Sequence, residues 1–256
     1  MAQELIGHGA HLMCLEDCDS PLLDYVLPMT QTTPVLTLTD VHLSLRGSDG
    51  MVPILRGISA EIGAGEIVAV TGRSGSGKSS LLAVSAGLEP ATSGSVRLLG
   101  TQLVGLGEDA LARVRRGQVG IVFQAFHLLP NMTALENVAT ALETADMATG
   151  KAARSAAGEA LARVGLGHRL SHYPSQLSGG EQQRVAVARA TITEPKIIFA
   201  DEPTGNLDQK AGQSVQELLF EAARDGGAAL VLVTHEPELA KACDRIIMLE
   251  DGRVVA

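Results

Sequence analysis

The stretch from Gly72 to Ser80 has the sequence GRSGSGKSS, which combines the residue types that bind phosphate groups. It follows an apolar run, IVAVT, and precedes a helical pattern that begins near Lys78. The spacing fits G-x-x-x-x-G-K-[ST], in which backbone N–H groups and the lysine contact nucleotide phosphates. A glycine-rich surface loop would leave the lysine and both flanking elements without a role. The residues predicted to bind a nucleoside triphosphate are Gly72, Arg73, Ser74, Gly75, Ser76, Gly77, Lys78, Ser79 and Ser80.

Two adjacent carboxylates end another apolar run, in the segment KIIFADEPTGNLD. A parallel strand would place Asp201 at its carboxyl end, where ligands bind in such sheets. We expect Asp201 to hold Mg²⁺, mostly through water, with the Ser79 hydroxyl as a second ligand. Adjacent side chains at a strand end point in different directions, so Glu202 is placed to polarise an attacking water as a general base. A charged strand end without a catalytic role is the alternative.

The segment LSGGEQQRVAVARA, residues 177–190, predicts a helix with a strong start signal. Ser178 fits an N-cap, and Glu181 lies three residues later, as in a capping box. Gly179 and Gly180 leave the first N–H groups of the helix accessible, and such a helix start can bind an anion. From the residues alone, a well-capped helix with an apolar stripe explains the segment equally well.

The elements that must position these residues alternate along the chain. Apolar runs at 66–72, 119–123, 196–201, 229–235 and 245–251 predict buried strands. The helical patterns lie at 78–87, 133–146, 151–164, 179–193, 209–224 and 236–242. This alternation implies right-handed crossovers and a mainly parallel sheet, while period-two patterns at 35–45 and 54–62 predict antiparallel strands beside it. The predicted fold class is α/β, with a P-loop NTPase core, an antiparallel β subdomain and an inserted α-helical subdomain.

The chain is expected to divide into a short tail and one domain. Residues 1–34 show no clear period and are predicted to be a disordered tail, which makes Met29 a candidate for the true start. The regular pattern of strands and helices covers 35–256, with the helical subdomain at about 125–190. Within the tail, His8, His11, Cys14 and Cys18 lie close together, but their spacing matches no standard zinc pattern.

Composition limits the partners that this chain can have. The net charge of −9 disfavours nucleic acid and anionic lipid, whose binding depends on Lys and Arg. Aromatic residues make up 2% of the chain, so platforms for base stacking are not expected. The N-terminal residues lack a secretory signal pattern, and no apolar run is long enough for a bilayer, which favours a cytoplasmic protein and still allows docking on a membrane protein.

Six ordered motifs together resemble the nucleotide-binding domain of ABC-type ATPases. GRSGSGKSS resembles their Walker A motif, IIFADE their Walker B motif, and LSGGEQQR their signature motif. The same resemblance identifies Gln124 in VFQAF as the Q-loop glutamine, Asp208 in GNLD as the D-loop aspartate and His235 in VTHE as the switch histidine. In finer detail the chain resembles the branch of LolD-like, MacB-like and FtsE-like ATPases, and within it the YbbA-like pattern.

The resemblance implies an ATPase that works as a head-to-tail homodimer with ATP and Mg²⁺. Ser178, Gly179, Gly180 and Glu181 of one copy would contact the ATP held by the other copy. Gln124 would link Mg²⁺ to a transmembrane permease, Asp208 would complete the nucleotide site, and His235 would hold the γ-phosphate and the attacking water. Family members of this branch energise export, lipoprotein release or mechanical work across the envelope.

One departure from the family concerns the base. ABC ATPases usually stack adenine on an aromatic residue after the first strand, whereas the matching segment here, HLSLRGSDG, has none and leaves Leu45 or a neighbour to serve. Weak discrimination between ATP and GTP is therefore expected.

Three other functions compete with transport. A soluble ABC ATPase acting on ribosomes or DNA would typically carry two such domains or a long coiled-coil insertion, which this chain lacks. A P-loop kinase would leave LSGGEQQR without a purpose. An ATP-dependent regulatory partner of an envelope protein, without substrate transport, is the alternative that the sequence does not exclude.

Overall fold

The structure is a computed structural model that describes residues 34–48 and 50–255. The predicted tail before residue 34, with Met29 and the His8–Cys18 cluster, lies outside the described residues.

The described residues form ten strands in two sheets. The strands are β1 (Pro34–Gly47), β2 (Gly50–Gly63), β3 (Ile67–Gly72), β4 (Ser93–Leu98), β5 (Thr101–Gln102), β6 (Val119–Val122), β7 (Ile197–Asp201), β8 (Ala229–Val233), β9 (Arg245–Glu250) and β10 (Arg253–Val254). One sheet is antiparallel, in the order β2-β1-β4-β5, and the other has the order β10-β9-β3-β8-β7-β6. In the second sheet β9 to β6 are parallel and only β10 is antiparallel. The α/β fold class is confirmed.

Seven α-helices connect or flank the strands of the described chain. They are α1 (Lys78–Ser85), α2 (Glu108–Arg115), α3 (Ala134–Thr144), α4 (Gly150–Arg163), α5 (Gly179–Thr191), α6 (Gln209–Gly226) and α7 (Pro237–Lys241). On one face of the parallel sheet, α1 packs between this sheet and the antiparallel one in a shared apolar core. On the other face, α5 and α6 cover the sheet. The central strands β3, β7 and β8 are almost wholly apolar and are buried on both faces, whereas only Ile247 and Leu249 are buried in β9.

A third apolar core lies between the helices α3, α4 and α5. Residues 125–190 contain these helices and a 3₁₀ turn at Pro174–Gln176, with no strand. The start of α3 is fixed by a capping box, in which Thr133 Oγ1 accepts the Glu136 N–H at 3.2 Å and Glu136 Oε2 accepts the Thr133 N–H at 3.0 Å. Helix α5 spans two of the cores and so joins the helical region to the parallel sheet.

Some elements differ from the sequence prediction. Helix α2 and the strands β4 and β5 were not predicted, because each is short and mixes polar with apolar residues. The strand predicted at 229–235 ends at Val233, and Thr234 makes the last bond of its ladder with β3 by donating its N–H to the carbonyl of Val70. The predicted helix boundaries agree with the structure to within two residues.

No helix of the described residues is both long enough and apolar enough to cross a membrane.

Candidate active site

The loop between β3 and α1 is built around close backbone contacts. Gly72 has φ 144°, and a Cβ there would lie 2.2 Å from the carbonyl oxygen of Leu249 on the neighbouring strand β9. Only glycine accommodates both the conformation and the contact. Gly77 ends the loop in a left-handed conformation as the N-cap of α1. The chain therefore turns sharply between the end of β3 and the start of α1.

Lys78 is held inside this loop. Its side chain is largely buried, and Nζ donates to the carbonyls of Gly72 at 2.9 Å and Arg73 at 3.1 Å. Ser76 Oγ is also buried and has no hydrogen-bond partner among the described residues. A confined cation, an unused hydroxyl and the positive end of α1 favour an anion at this position.

A cavity of about 530 Å³ lies against the loop. It brings Glu202 and His235 together with residues that precede and follow Lys78. The lining residues are Ile54, Gly72, Ser74, Gly75, Gly77, Lys78, Ser79, Ser80, Glu202 and His235. Of the predicted loop residues, Arg73 and Ser76 are not in this lining.

Asp201 contacts the loop from the end of β7. Its Oδ1 accepts a hydrogen bond from Ser79 Oγ at 3.1 Å. Burial raises the pKa of Asp201, and the nearby carboxylate of Glu202 raises it further, although the Ser79 bond and Lys78 oppose this. The ionised carboxylate is thus disfavoured, and a bound cation would relieve that cost.

Glu202 points away from Asp201 because its backbone is left-handed. Its φ is 43°, an uncommon conformation for a residue other than glycine, and its N–H donates to the Val233 carbonyl at 3.0 Å. The side chain consequently reaches the loop after β8, where its Oε1 lies 3.6 Å from Nδ1 of His235. The His235 ring is 61% exposed and faces the same cavity. The two adjacent carboxylates therefore have different neighbours, as the sequence predicted.

Gln124 lies beside Glu202 rather than in the cavity lining. A Cβ on Gly205 would be 2.9 Å from Gln124 Nε2 and 3.4 Å from Glu202 Oε2, so both side chains pack close to the Cα of this glycine. Gln124 Nε2 donates a hydrogen bond to Asn206 Oδ1 at 3.3 Å, and Asn206 Nδ2 donates one to the backbone carbonyl of Gln124 at 3.2 Å. These contacts tie the start of the Gln124 loop to the turn after Glu202.

The segment Ser178–Glu181 forms the predicted capping box. Ser178 Oγ accepts the Glu181 N–H at 3.3 Å, and Glu181 Oε2 accepts the Ser178 N–H at 2.8 Å. The bond from the Ser178 backbone is the main reason that the pKa of Glu181 is lowered, and Arg169, whose Nε donates to Oε1 at 3.1 Å, adds to it. Among the described residues, none of this segment lines the cavity beside Lys78.

Asp208 also lies away from that cavity. Its carboxylate caps α6 by accepting the Ala211 N–H at 2.9 Å. It lines a neighbouring, more polar cavity of about 620 Å³, and His235 lines both cavities. The predicted site residues therefore form one group around Lys78 and a second around Asp208, with Ser178–Glu181 apart from the first.

Leu45, which would have to replace the usual aromatic residue, lies on β1. It is 40% exposed and is paired with Val52 of β2. Ile54, further along β2, is an apolar residue that does line the cavity.

Sequence analysis missed several polar residues that hold the site together. Thr204 Oγ1 donates to Glu236 Oε1 at 2.5 Å, which joins the turn after Glu202 to the residue after His235. Gln183 and Arg169 make comparable links. No local sequence signal marked these residues, because partners so distant in sequence are set by the tertiary fold.

Comparisons with known proteins agree on one family. The ABC transporter family profile matches residues 55–205. The chain is 47% identical over 224 residues to the lipoprotein-releasing system ATP-binding protein LolD 2 of Caulobacter vibrioides, covering 86% of this chain and 96% of that protein. It is 45% identical over 228 residues to the ABC transporter ATP-binding protein YbbA of Escherichia coli K12, covering 86% of this chain and 98% of YbbA.

Longer relatives and solved structures match as well. The chain is 44% identical to the macrolide export ATP-binding/permease protein MacB of Shigella flexneri, of which the match covers only 34%. The ATP-binding cassette MJ0796, solved as a dimer in a post-hydrolysis state with ADP and Pi, superposes with a TM-score of 0.81 at 38% identity, covering 86% of this chain and 97% of that one.

The raised pKa of Asp201 predicts that D201N stabilises the protein in the absence of nucleotide and divalent metal. Because the pKa of the folded carboxyl lies above its ordinary 3.8, the wild-type fold loses stability as the pH rises through that range. Asparagine carries no charge and keeps an oxygen for Ser79. We expect a higher Tm for D201N at neutral pH, in EDTA, with a difference that shrinks as the pH falls towards 3.8.

D208N is the matched control, since asparagine caps a helix as well as aspartate does. Its Tm should stay at the wild-type value. A D201N protein that melts below the wild type at neutral pH would contradict the assigned cost of ionisation.

Proposed function

The chain belongs to the ABC transporter family and is an ATP-hydrolysing ATP-binding cassette, and from this premise we propose that it energises a transmembrane permease of the LolD and MacB type. The arrangement of Lys78, Glu202 and His235 around one cavity is the observation that supports hydrolysis at this site most directly. The relatives named for lipoprotein release and macrolide export support an export or release function for the permease. The proposed location is the inner face of the cell membrane.

We propose that two copies enclose two nucleotides head to tail. The helix start at Ser178–Gly180 is capped but lies outside the lining of its own Lys78 cavity, so it is available to a nucleotide bound by another copy. The related cassette MJ0796 was solved as a dimer. In such a dimer Asp208 and its cavity would lie between the copies.

Mg²⁺ is the proposed metal. Ser79 Oγ and Asp201 Oδ1 are hard oxygen donors only 3.1 Å apart, and the disfavoured charge on Asp201 suits a cation, so the residues present fit this ion. Gln124 is the third proposed ligand. When bound, Mg²⁺ neutralises charge on the phosphate oxygens during phosphoryl transfer.

Three residues of the cavity have proposed roles in hydrolysis. Lys78 exchanges the carbonyls of Gly72 and Arg73 for phosphate oxygens, while loop N–H groups hold the rest of the chain of phosphates. Glu202 accepts a proton from the attacking water, and His235, 3.6 Å from Glu202, orients that water and the γ-phosphate. The serine and glycines of the second copy complete the site, so hydrolysis requires the closed dimer.

Reconstitution tests the transport function. The permease is identified by co-purification from the native membrane and then placed in proteoliposomes with this protein. ATP-dependent extrusion or release of a substrate supports the proposal, whereas ATP-dependent conformational change of the partner without any substrate flux supports the regulatory alternative.

Replacing Glu202 separates binding from hydrolysis. E202Q should bind ATP and accumulate as a dimer, while turnover falls by about 10²- to 10⁴-fold because the general base is lost. Size-exclusion chromatography with ATP and a phosphate-release assay measure both properties. The control is E238Q, which removes an exposed carboxylate paired with Lys241 and should hydrolyse normally. Wild-type turnover in E202Q would show that the base is a different residue.

Replacing Ser178 distinguishes a helix cap from a ligand of the nucleotide. S178A and T133A each remove one capping box and should each lose about 1 kcal/mol of unfolding free energy. Only S178A should also lose ATPase activity, by about 10- to 100-fold per folded molecule, because one phosphate contact is removed. Equal activity of the two variants would leave Ser178 with a capping role alone.

The lack of an aromatic residue near Leu45 predicts weak base discrimination. Base stacking on an aromatic side chain contributes about 1–3 kcal/mol, and an apolar contact forfeits much of this. ATP and GTP should therefore compete with similar affinities in a titration with a fluorescent nucleotide, and L45Y should shift the balance towards tighter binding of ATP. A strong preference of the wild-type protein for ATP would refute the prediction.

A further inference from the structure

Gln183 is a fully buried polar residue in the first half of α5. It follows the helix start at Gly179 by four residues, which is about 6 Å along a helix axis. The residues after it on the same helix, Val185, Ala186 and Val187, are buried and apolar. A buried amide at such a position is unfavourable unless its donors are used.

Both hydrogen bonds of Gln183 go to backbone carbonyls of other segments. Nε2 donates to the carbonyl of Pro203 at 2.8 Å and to that of Phe123 at 3.3 Å. Since both partners are acceptors, only the NH₂ group can face them, and the orientation of the amide is fixed. Oε1 has no hydrogen-bond partner within the described residues. All of the amide's bonding is thus directed at two loops.

Those two loops are the ones that carry Glu202 and Gln124. Pro203 directly follows Glu202, and Phe123 directly precedes Gln124. The loops are joined a second time by the bonds between Gln124 and Asn206. The Gln183 side chain of α5 therefore holds the backbone next to Glu202, the proposed base, and the backbone next to Gln124, the proposed Mg²⁺ ligand.

We propose that Gln183 is a positioning residue for ATP hydrolysis, which sets Glu202 and Gln124 relative to the start of α5. The inference rests on the proposed function, in which the Ser178–Gly180 end of α5 contacts the nucleotide of the other copy. Because α5 is a continuous helix, movement of its start on the partner's phosphate also moves Gln183, and with it the two loops of its own site. A general base acts only within hydrogen-bond reach of its water, so small displacements of Glu202 change the rate strongly.

The decisive variant is Q183M, which keeps length and buried apolar packing but removes both donors. We expect kcat to fall by about 10- to 100-fold while KM for ATP stays within about twofold, because the nucleotide contacts around Lys78 are untouched. The matched control is V185A, which loses buried contacts in the core between α3, α4 and α5 but leaves the Gln183 amide and both of its carbonyl partners in place. It should lower Tm and leave kcat per folded molecule unchanged.

A second variant keeps the test decisive if Q183M does not fold. Q183E has the same shape, cannot donate when ionised and can donate one bond when protonated. Its kcat relative to the wild type should therefore rise as the pH falls, whereas a purely structural role would change stability but not this ratio.

Two results would overturn the inference: a kcat within about twofold of the wild type in Q183M, or an equal loss of kcat in V185A at the same Tm. Failure of the proposed function would appear elsewhere. E202Q that stays monomeric with saturating ATP contradicts the two-copy site, whereas normal turnover in Q183M together with ATP-dependent E202Q dimers contradicts only the role of Gln183.

Discussion

The site depends on the register of three parallel strands. Val233 of β8 is paired with Val70 of β3 on one side and with Asp201 of β7 on the other. Strands β7 and β8 end at this level, and β3 continues for only two more residues beside β9, so the phosphate loop, Glu202 and His235 begin near one edge of the sheet. Side chains alternate between the two faces of a sheet. A slip of β7 by one residue would therefore place a different residue at the position of Asp201 and turn every side chain of the strand to the opposite face. The complete burial of β8 makes such a slip costly.

This convergence concentrates charge where water is scarce. Lys78 is buried on two carbonyls, and Asp201 lies close enough to Glu202 and to the protein interior for its pKa to rise. Lys78 Nζ is bonded to two backbone carbonyls, and the Asp201 carboxylate accepts a hydrogen bond from the Ser79 hydroxyl. Anionic phosphates and a divalent cation satisfy both groups better. Nucleotide binding should accordingly stabilise the fold through contacts with Lys78 and Asp201.

The sequence predicted the parts of this architecture that are local. The apolar runs of β3, β7 and β8, the glycine pattern of the phosphate loop and the capping box at Ser178 each appear within a few consecutive residues, and the structure has them where they were expected. Helix α2 was missed because it is short and only Leu111 is buried in it. The contacts of Gln183 with Pro203 and Phe123, and of Thr204 with Glu236, join segments far apart in the chain, so no local pattern could indicate them. The functions assigned to the site residues stay predictions.

The start of α5 poses an electrostatic problem that the structure answers. A carboxylate at position 181 lies in the first turn of a helix whose end is proposed to face a γ-phosphate, and two negative charges there would repel each other. Glu181, however, has both oxygens occupied, one by the Ser178 N–H and one by the Arg169 guanidinium, whose positive charge balances its own. The helix end therefore keeps its positive potential, and the acidic residue serves to hold Ser178 in place. Arg169 lies outside the segment 177–190. The negative charge of Glu181 within that segment is therefore balanced by a residue that the motif itself does not contain.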